Sequence, residues 1–211
     1  TIIDKDKGLW QKDIQKIGIL EDKYRVILES NLDLLSKIYW LIEDCKRYGT
    51  LPFAGLARAG FIAIQLLKSL VYSGIITHEE YDLFFQSLDT IGSSINKDLK
   101  RLDKKIFLEK YGHLRPGTYD ILSSRYDEDP ETYFDWSDLE DFQEDKKEKR
   151  FQLSLLQMKT IDAFLKQQGL NHDIISLFDF IKAAIEGREY SKFVFTRSLS
   201  KVLSLIKELC E

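Results

Sequence analysis

Three sets of residues have the types and spacing to do chemistry on an anionic group. The stretch KYGHLRPGTYDILSSRY, residues 110–126, carries His113, Arg115 and Asp120. Arg115 precedes Pro116, which holds it extended, and Pro116-Gly117 is the pair that the centre of a type II turn favours. His113 and Arg115 then point to one side, with Asp120 within reach of either, a set suited to binding an anionic group or moving a proton to it. The alternative is a structural knot pinning the loop to the rest of the protein. In GREYSKFVF, Arg188 and Lys192 stand at i and i+4. On a helix they repel by roughly 0.2–0.5 kcal/mol, and an anion between them reverses that sign. Arg offers a flat fork and Lys a point charge, a sensible pair for phosphate or pyrophosphate unless Glu186 and Glu189 neutralise them. Arg58, in LPFAGLARAGFIAIQLL, has only Ala54, Gly55, Phe61 and Ile62 one turn away. Its charge is met by an acid on another helix, by an anionic ligand, or by water at the rim.

No metal set is legible. The histidines at 78, 113 and 172 share no spacing with Cys or acids, and no Gly-rich phosphate loop, GxSxG or CxxC occurs.

The elements that must position these residues read as helices. Apolar residues recur at three and four from Leu9 to Arg47, and Gly49 is expected to close that segment. Pro52 opens a helix running to about Ser73, stopped by Gly74. Thr77 and Glu80 form a capping box for a long helix through Tyr81, Phe84, Leu88, Ile91 and Ile95 toward Leu102 and Phe107. Further helices are expected from Phe151 to near Gly169, from Asn171 or Asp173 to Gly187, and from Glu189 to the end. Lys192–Thr196 is β-branched and aromatic, but its flanks are helical in pattern. The fold expected is all-α, a bundle of long helices with one long ordered loop and acidic excursion over about 112–150.

The chain has 211 residues and 44% hydrophobic content, enough for one sizeable core, so a single helical domain over 1–211 is expected. It starts at Thr1 and ends within the helical pattern LSKVLSLIKELCE, as a piece of a larger multidomain protein would. The net charge of −4 gives no general basic field, so neither nucleic acid nor membrane is an expected partner. Charge is unevenly placed: residues 127–149 hold eleven acids and three bases, leaving 28 bases and 24 acids of the chain's 31 and 35. Tyr133, Phe134, Trp136 and Phe142 within that segment imply that it packs on something. Cys45 and Cys210 give no disulfide framework, which points to the cytoplasm, and no window approaches 18 uncharged apolar residues.

The segments GTLPFAGLARAGFIA, FLEKYGHLRPGTYDILSSRYDEDPE and REYSKFVFTRSLS, in that order, resemble the central helical region of phosphoenolpyruvate-utilising phosphotransferases. The likeness is to the phosphoenolpyruvate synthase and pyruvate phosphate dikinase-like proteins and, more distantly, to rifampin phosphotransferase. It spans the chain from about Tyr48 onward. In such proteins an ATP-grasp domain phosphorylates or pyrophosphorylates a histidine on a swivelling domain, which carries the group to an acceptor. The resemblance implies ATP and Mg for the full-length protein and no cofactor in this piece, which would be the substrate-side domain and inactive alone. Arg188 and Lys192 match the RExxK pair that would face the travelling phosphoryl group, and His113 and Asp120 match the YGH and YD positions. Leu114 follows His113 where rifampin phosphotransferase-like members have Arg, and the acceptor stays open: pyruvate, a sugar or a drug. The alternative from another class is a non-catalytic helical interaction module, with the same charges in structural ion pairs.

Overall fold

The structure, a computed structural model, describes residues 8–136 and 150–210. It is all-α, with no strand among the described residues. The helices are α1 (Leu9–Glu29), α2 (Leu34–Asp44), α3 (Leu51–Tyr72), α4 (His78–Gln86), α5 (Ile91–Arg101), α6 (Lys104–Tyr111), α7 (Pro130–Tyr133), α8 (Leu155–Gln167) and α9 (Ile174–Cys210).

Helix starts follow side-chain chemistry. Thr77 and Glu80 satisfy each other's backbone N–H groups in the expected capping box at α4. Asp173 rather than Asn171 opens α9, its carboxylate accepting from the Ser176 N–H at 2.8 Å. Two stops are also as expected, because Gly74 and Gly169 take φ of 67° and 70°.

Two expected breaks are absent, and one expected helix is broken. Gly49 does not end a helix: α2 runs into a π-helical turn, Cys45–Thr50, and straight on into α3. A Cβ on Gly49 would lie 2.8 Å from Phe195 Cβ and 3.0 Å from Leu20 Cδ2, so this glycine admits α9 rather than stopping the chain. Gly187 likewise lies inside α9, where a Cβ would come 3.3 Å from Ile14 Cδ1. The single helix expected from Thr77 toward Phe107 is three, because Thr90 forms a second capping box with Ser93 and the chain turns again before Lys104.

The result is one 37-residue helix, α9, about 55 Å long, around which the others pack. Leu177, Phe180, Ile181 and Ala184 join Ala59, Ala63 and Leu67 of α3 at its N-terminal end. Phe193, Val194 and Phe195 meet Ile17, Leu56, Phe107 and Tyr111 at its middle. Val202 and Leu205 meet Ile27, Ile38 and Leu41 near its C-terminal end. The β-branched stretch Lys192–Thr196 is thus helical because it fills the middle core. Phe134 and Trp136 of the acidic excursion pack on Phe107, with ring centroids 5.0 and 5.7 Å away, as their composition implied. Phe142 and most of the EDKKEKR run lie outside the described residues.

The continuous helix Leu34–Tyr72 contains a window of mean hydropathy 1.4, long and apolar enough by length and composition to cross a membrane. Leu41, Leu56, Ala59, Ala63 and Leu67 on it are buried in the protein's own core.

Gly49 and Gly18 give opposite expectations for the same change. Gly49→Ala should destabilise by about 1–3 kcal/mol through overpacking. Gly18→Ala, with nothing within 4 Å of the added carbon, should be neutral or stabilise by up to about 1 kcal/mol. Urea unfolding monitored by circular dichroism checks both.

Candidate functional site

Four of the expected residues, His113, Arg115, Arg188 and Lys192, line one cleft of about 330 Å³ between the loop after α6, the start of α5 and the middle of α9. Ile91, Gly92, Leu114, Thr118, Glu189, Phe193, Thr196 and Ser200 complete it.

The loop is held by its backbone and by two arginines, of which Arg125 donates to the Ser204 hydroxyl of α9 at 3.3 Å. The Tyr126 N–H donates to the Leu114 carbonyl at 2.8 Å and the Asp127 N–H to the Gly112 carbonyl at 3.1 Å, so the two arms of the excursion are stitched together at their base. Gly112 is needed there, since a Cβ would fall 2.7 Å from Asp127 Cβ. Arg115 is 7% exposed. One of its terminal nitrogens donates to the carbonyls of Asp120 (3.2 Å) and Ser123 (3.0 Å), and the other reaches the Ser200 hydroxyl at 3.3 Å. This guanidinium clasps the loop to α9 as a structural knot would. It has carbonyls and a hydroxyl for partners and no carboxylate in contact among the described residues; burial lowers its pKa, opposed by the charge of Glu128.

The expected type II turn is not formed. Gly117 has no positive φ, and the turn that closes runs from the Gly117 carbonyl to the Asp120 N–H at 2.9 Å. Glycine is required there for space, as a Cβ would come 2.9 Å from Asp120 Cβ and 3.2 Å from Ser123 Cβ. Tyr111, fully buried, anchors the start of the loop, whereas Tyr119 is 69% exposed. Asp120 is exposed, lies outside the cleft, and uses its carboxylate to accept from the Leu122 N–H at 2.9 Å.

His113 is 8% exposed, its ring edge-on to Phe193 with centroids 4.7 Å apart. Burial, reinforced by the charge of Arg197, pushes its pKa down to about 3, against the pull of the Phe193 and Lys110 carbonyls. It is therefore neutral at physiological pH. It cannot be a reservoir of protons there; what it offers is a hydrogen bond.

Arg188 lies over Gly60, where a Cβ would be 3.0 Å from its Cδ, and its guanidinium stacks on Phe61 at 5.0 Å. Lys192 is exposed one turn further on. Glu186 neutralises neither. It pairs with Lys182 at 3.7 Å and accepts from the Asp89 N–H at 2.8 Å. Arg58 is on the exposed side of α3 and outside the cleft, the rim position in which water meets its charge.

Sequence reasoning missed Ile91 and Gly92, the first two residues of α5, whose start the Thr90–Ser93 capping box would have marked. It also missed Thr196 and Ser200, two hydroxyl residues one helical turn apart on α9. No group of three or more His, Cys, Asp or Glu among the described residues could hold a metal. The arrangement is a partly apolar cleft with three cationic side chains, one acid and the start of a helix, which suits a small anion.

Comparison with protein-family models, with curated proteins and with solved structures finds no match to this chain.

Because His113 is held neutral when folded and takes up a proton when unfolded, it favours the folded state above its unfolded pKa near 6.5 and loses that advantage as pH falls toward 3. Native protein should lose stability on acidification through this window, at up to about 1.4 kcal/mol per pH unit from this group. His113→Gln should flatten the slope; unfolding free energies measured from pH 7 to pH 4 for both proteins check it.

Proposed function

We propose that this chain is the substrate-side helical domain of an ATP-dependent phosphotransferase of the phosphoenolpyruvate synthase-like kind, in which a phosphohistidine on another domain delivers its phosphoryl group to an acceptor held in the α5–loop–α9 cleft. The observation that carries the reading is the convergence of Arg188, Lys192 and Arg115 on one cleft with no carboxylate of the described residues bound to any of them. The sequence resemblance supplies the donor half of the reaction, and ATP, Mg and the carrier histidine belong to domains outside this chain.

The parts divide the work by chemistry. Arg188 offers two parallel N–H donors to phosphoryl oxygens and Lys192 a compact charge one turn away. The free N–H groups of the first turn of α5 add partial positive charge, and Gly92 leaves the approach open, with nothing within 4 Å of a Cβ placed there. Arg115 contributes a fixed buried charge and holds the loop in place. Ile91, Leu114 and Phe193 supply apolar surface for the body of the acceptor and exclude water from part of the cleft.

Titration of the chain with inorganic pyrophosphate, followed by isothermal calorimetry, tests the site. Arg188→Ala and Lys192→Ala should each cost about 1.5–3 kcal/mol of affinity, and Arg58→Ala should cost nothing. Incubated alone with labelled ATP and pyruvate, the chain should produce no labelled product. Pyrophosphate affinity unchanged in both cleft variants would refute the reading.

A further inference from the structure

One aromatic ring stands on the surface of α3, outside the core. Phe61 is 57% exposed and belongs to none of the three apolar clusters that hold the helices together. A cation lies over its face: the Arg188 guanidinium carbon is 5.0 Å from the ring centroid. The residue before it, Gly60, makes this approach possible, since a Cβ there would fall 3.0 Å from Arg188 Cδ and 3.4 Å from Arg188 Cβ. Gly60 and Phe61 thus form a seat on α3 for one side chain of α9, the glycine receiving its stem and the ring its head.

Arg188 is half-buried and lines the cleft, whereas Phe61 does not line it. A guanidinium offers its flat face to a ring and its edge, where the N–H groups lie, to oxygens. A carboxylate partner would occupy that edge and compete with an incoming anion. The ring takes the face and leaves the edge free, and no carboxylate of the described residues pairs with Arg188. Seating matters because arginine is long and samples many rotamers when unsupported. The apparent affinity for a ligand falls with the fraction of protein that holds the binding arrangement.

We propose that Phe61 is a positioning residue for the anion site. Its ring holds the Arg188 guanidinium by its face, with the N–H edge free for the anion, and so raises affinity without touching the anion. This rests on the reading of the cleft as an anion site and adds to it a residue from outside the cleft.

Calorimetric titration with pyrophosphate tests the assignment. Phe61→Leu, which keeps an apolar side chain but removes the ring, should weaken binding about three- to tenfold. Phe61→Tyr, which keeps the ring, should retain most of the native affinity. On an Arg188→Ala background Phe61→Leu should have no further effect, while on a Lys192→Ala background its full effect should persist. Because the ring is outside the core, Phe61→Leu should move the melting temperature by no more than about 2 °C. Native affinity in Phe61→Leu, with Arg188→Ala still weakened, would overturn the positioning role and leave the anion site standing. An equal loss in Phe61→Tyr, a loss that persists without Arg188, or a larger fall in melting temperature would overturn it too, since the ring would then act by another route. A native chain that does not bind pyrophosphate would overturn both readings.

Discussion

Everything in this structure depends on how closely α9 can lie against the helix running from α2 into α3. Backbones approach because the chain has glycine where a side chain would collide, Gly49 against Phe195 and Gly60 beneath Arg188, while Gly187 makes the same room for Ile14 of α1. Apolar burial along α9 supplies the driving force, but the glycines set the distance. That distance also fixes the cleft, because Arg188 and Lys192 project from the same stretch of α9 whose Phe193 supports His113. Core and site are consequently one packing problem, and a change at Gly60 would be felt in both.

The helices were legible where the signal is local. Thr77 with Glu80, Gly74 and Gly169 act on backbone groups within a few residues of themselves, so the sequence carries all that is needed. Gly49 and Gly187 were read as terminators because a glycine that stops a helix and one that admits a neighbour look identical until the neighbour is known. Phe195 and Ile14, which decide the matter, are far away in sequence. The same limit applies at Gly117, where proline and glycine fit a turn that the chain does not make, since Asp120 and Ser123 close over the glycine instead.

At the cleft, Arg188 and Lys192 stand out in the sequence as like charges one turn apart, and Arg58 as a charge with no acid one turn away. The second test also picks out a residue outside the cleft, because it says that no acid is one turn away without saying what is. The hydroxyls of Thr196 and Ser200 were invisible to it: serine and threonine in a helix return their hydrogen bonds to the preceding turn wherever they stand, as Thr196 does to the Lys192 carbonyl at 2.8 Å. Arg115 was recognised as fixed, but its fixity comes from carbonyl partners rather than from Pro116.

The positive character of the cleft is a matter of placement, since the chain as a whole has more acids than bases. The acids around the middle of α9 are committed elsewhere. Glu21 accepts from the Tyr190 hydroxyl at 2.6 Å and pairs with Arg197 at 3.5 Å. Asp98 takes Lys110 and the Tyr111 hydroxyl, both at 2.7 Å, and Asp127 takes Arg125. Glu186 is turned toward Lys182 and Asp89. Among the described residues, Glu189 is the acid that remains in the cleft with three cationic side chains. A pair of like charges one turn apart on α9 raises the energy of the empty protein slightly, by a few tenths of a kcal/mol. On the proposed reading that repulsion is relieved when negative charge enters, so the arrangement that weakens the fold a little would favour anions over neutral molecules of equal shape.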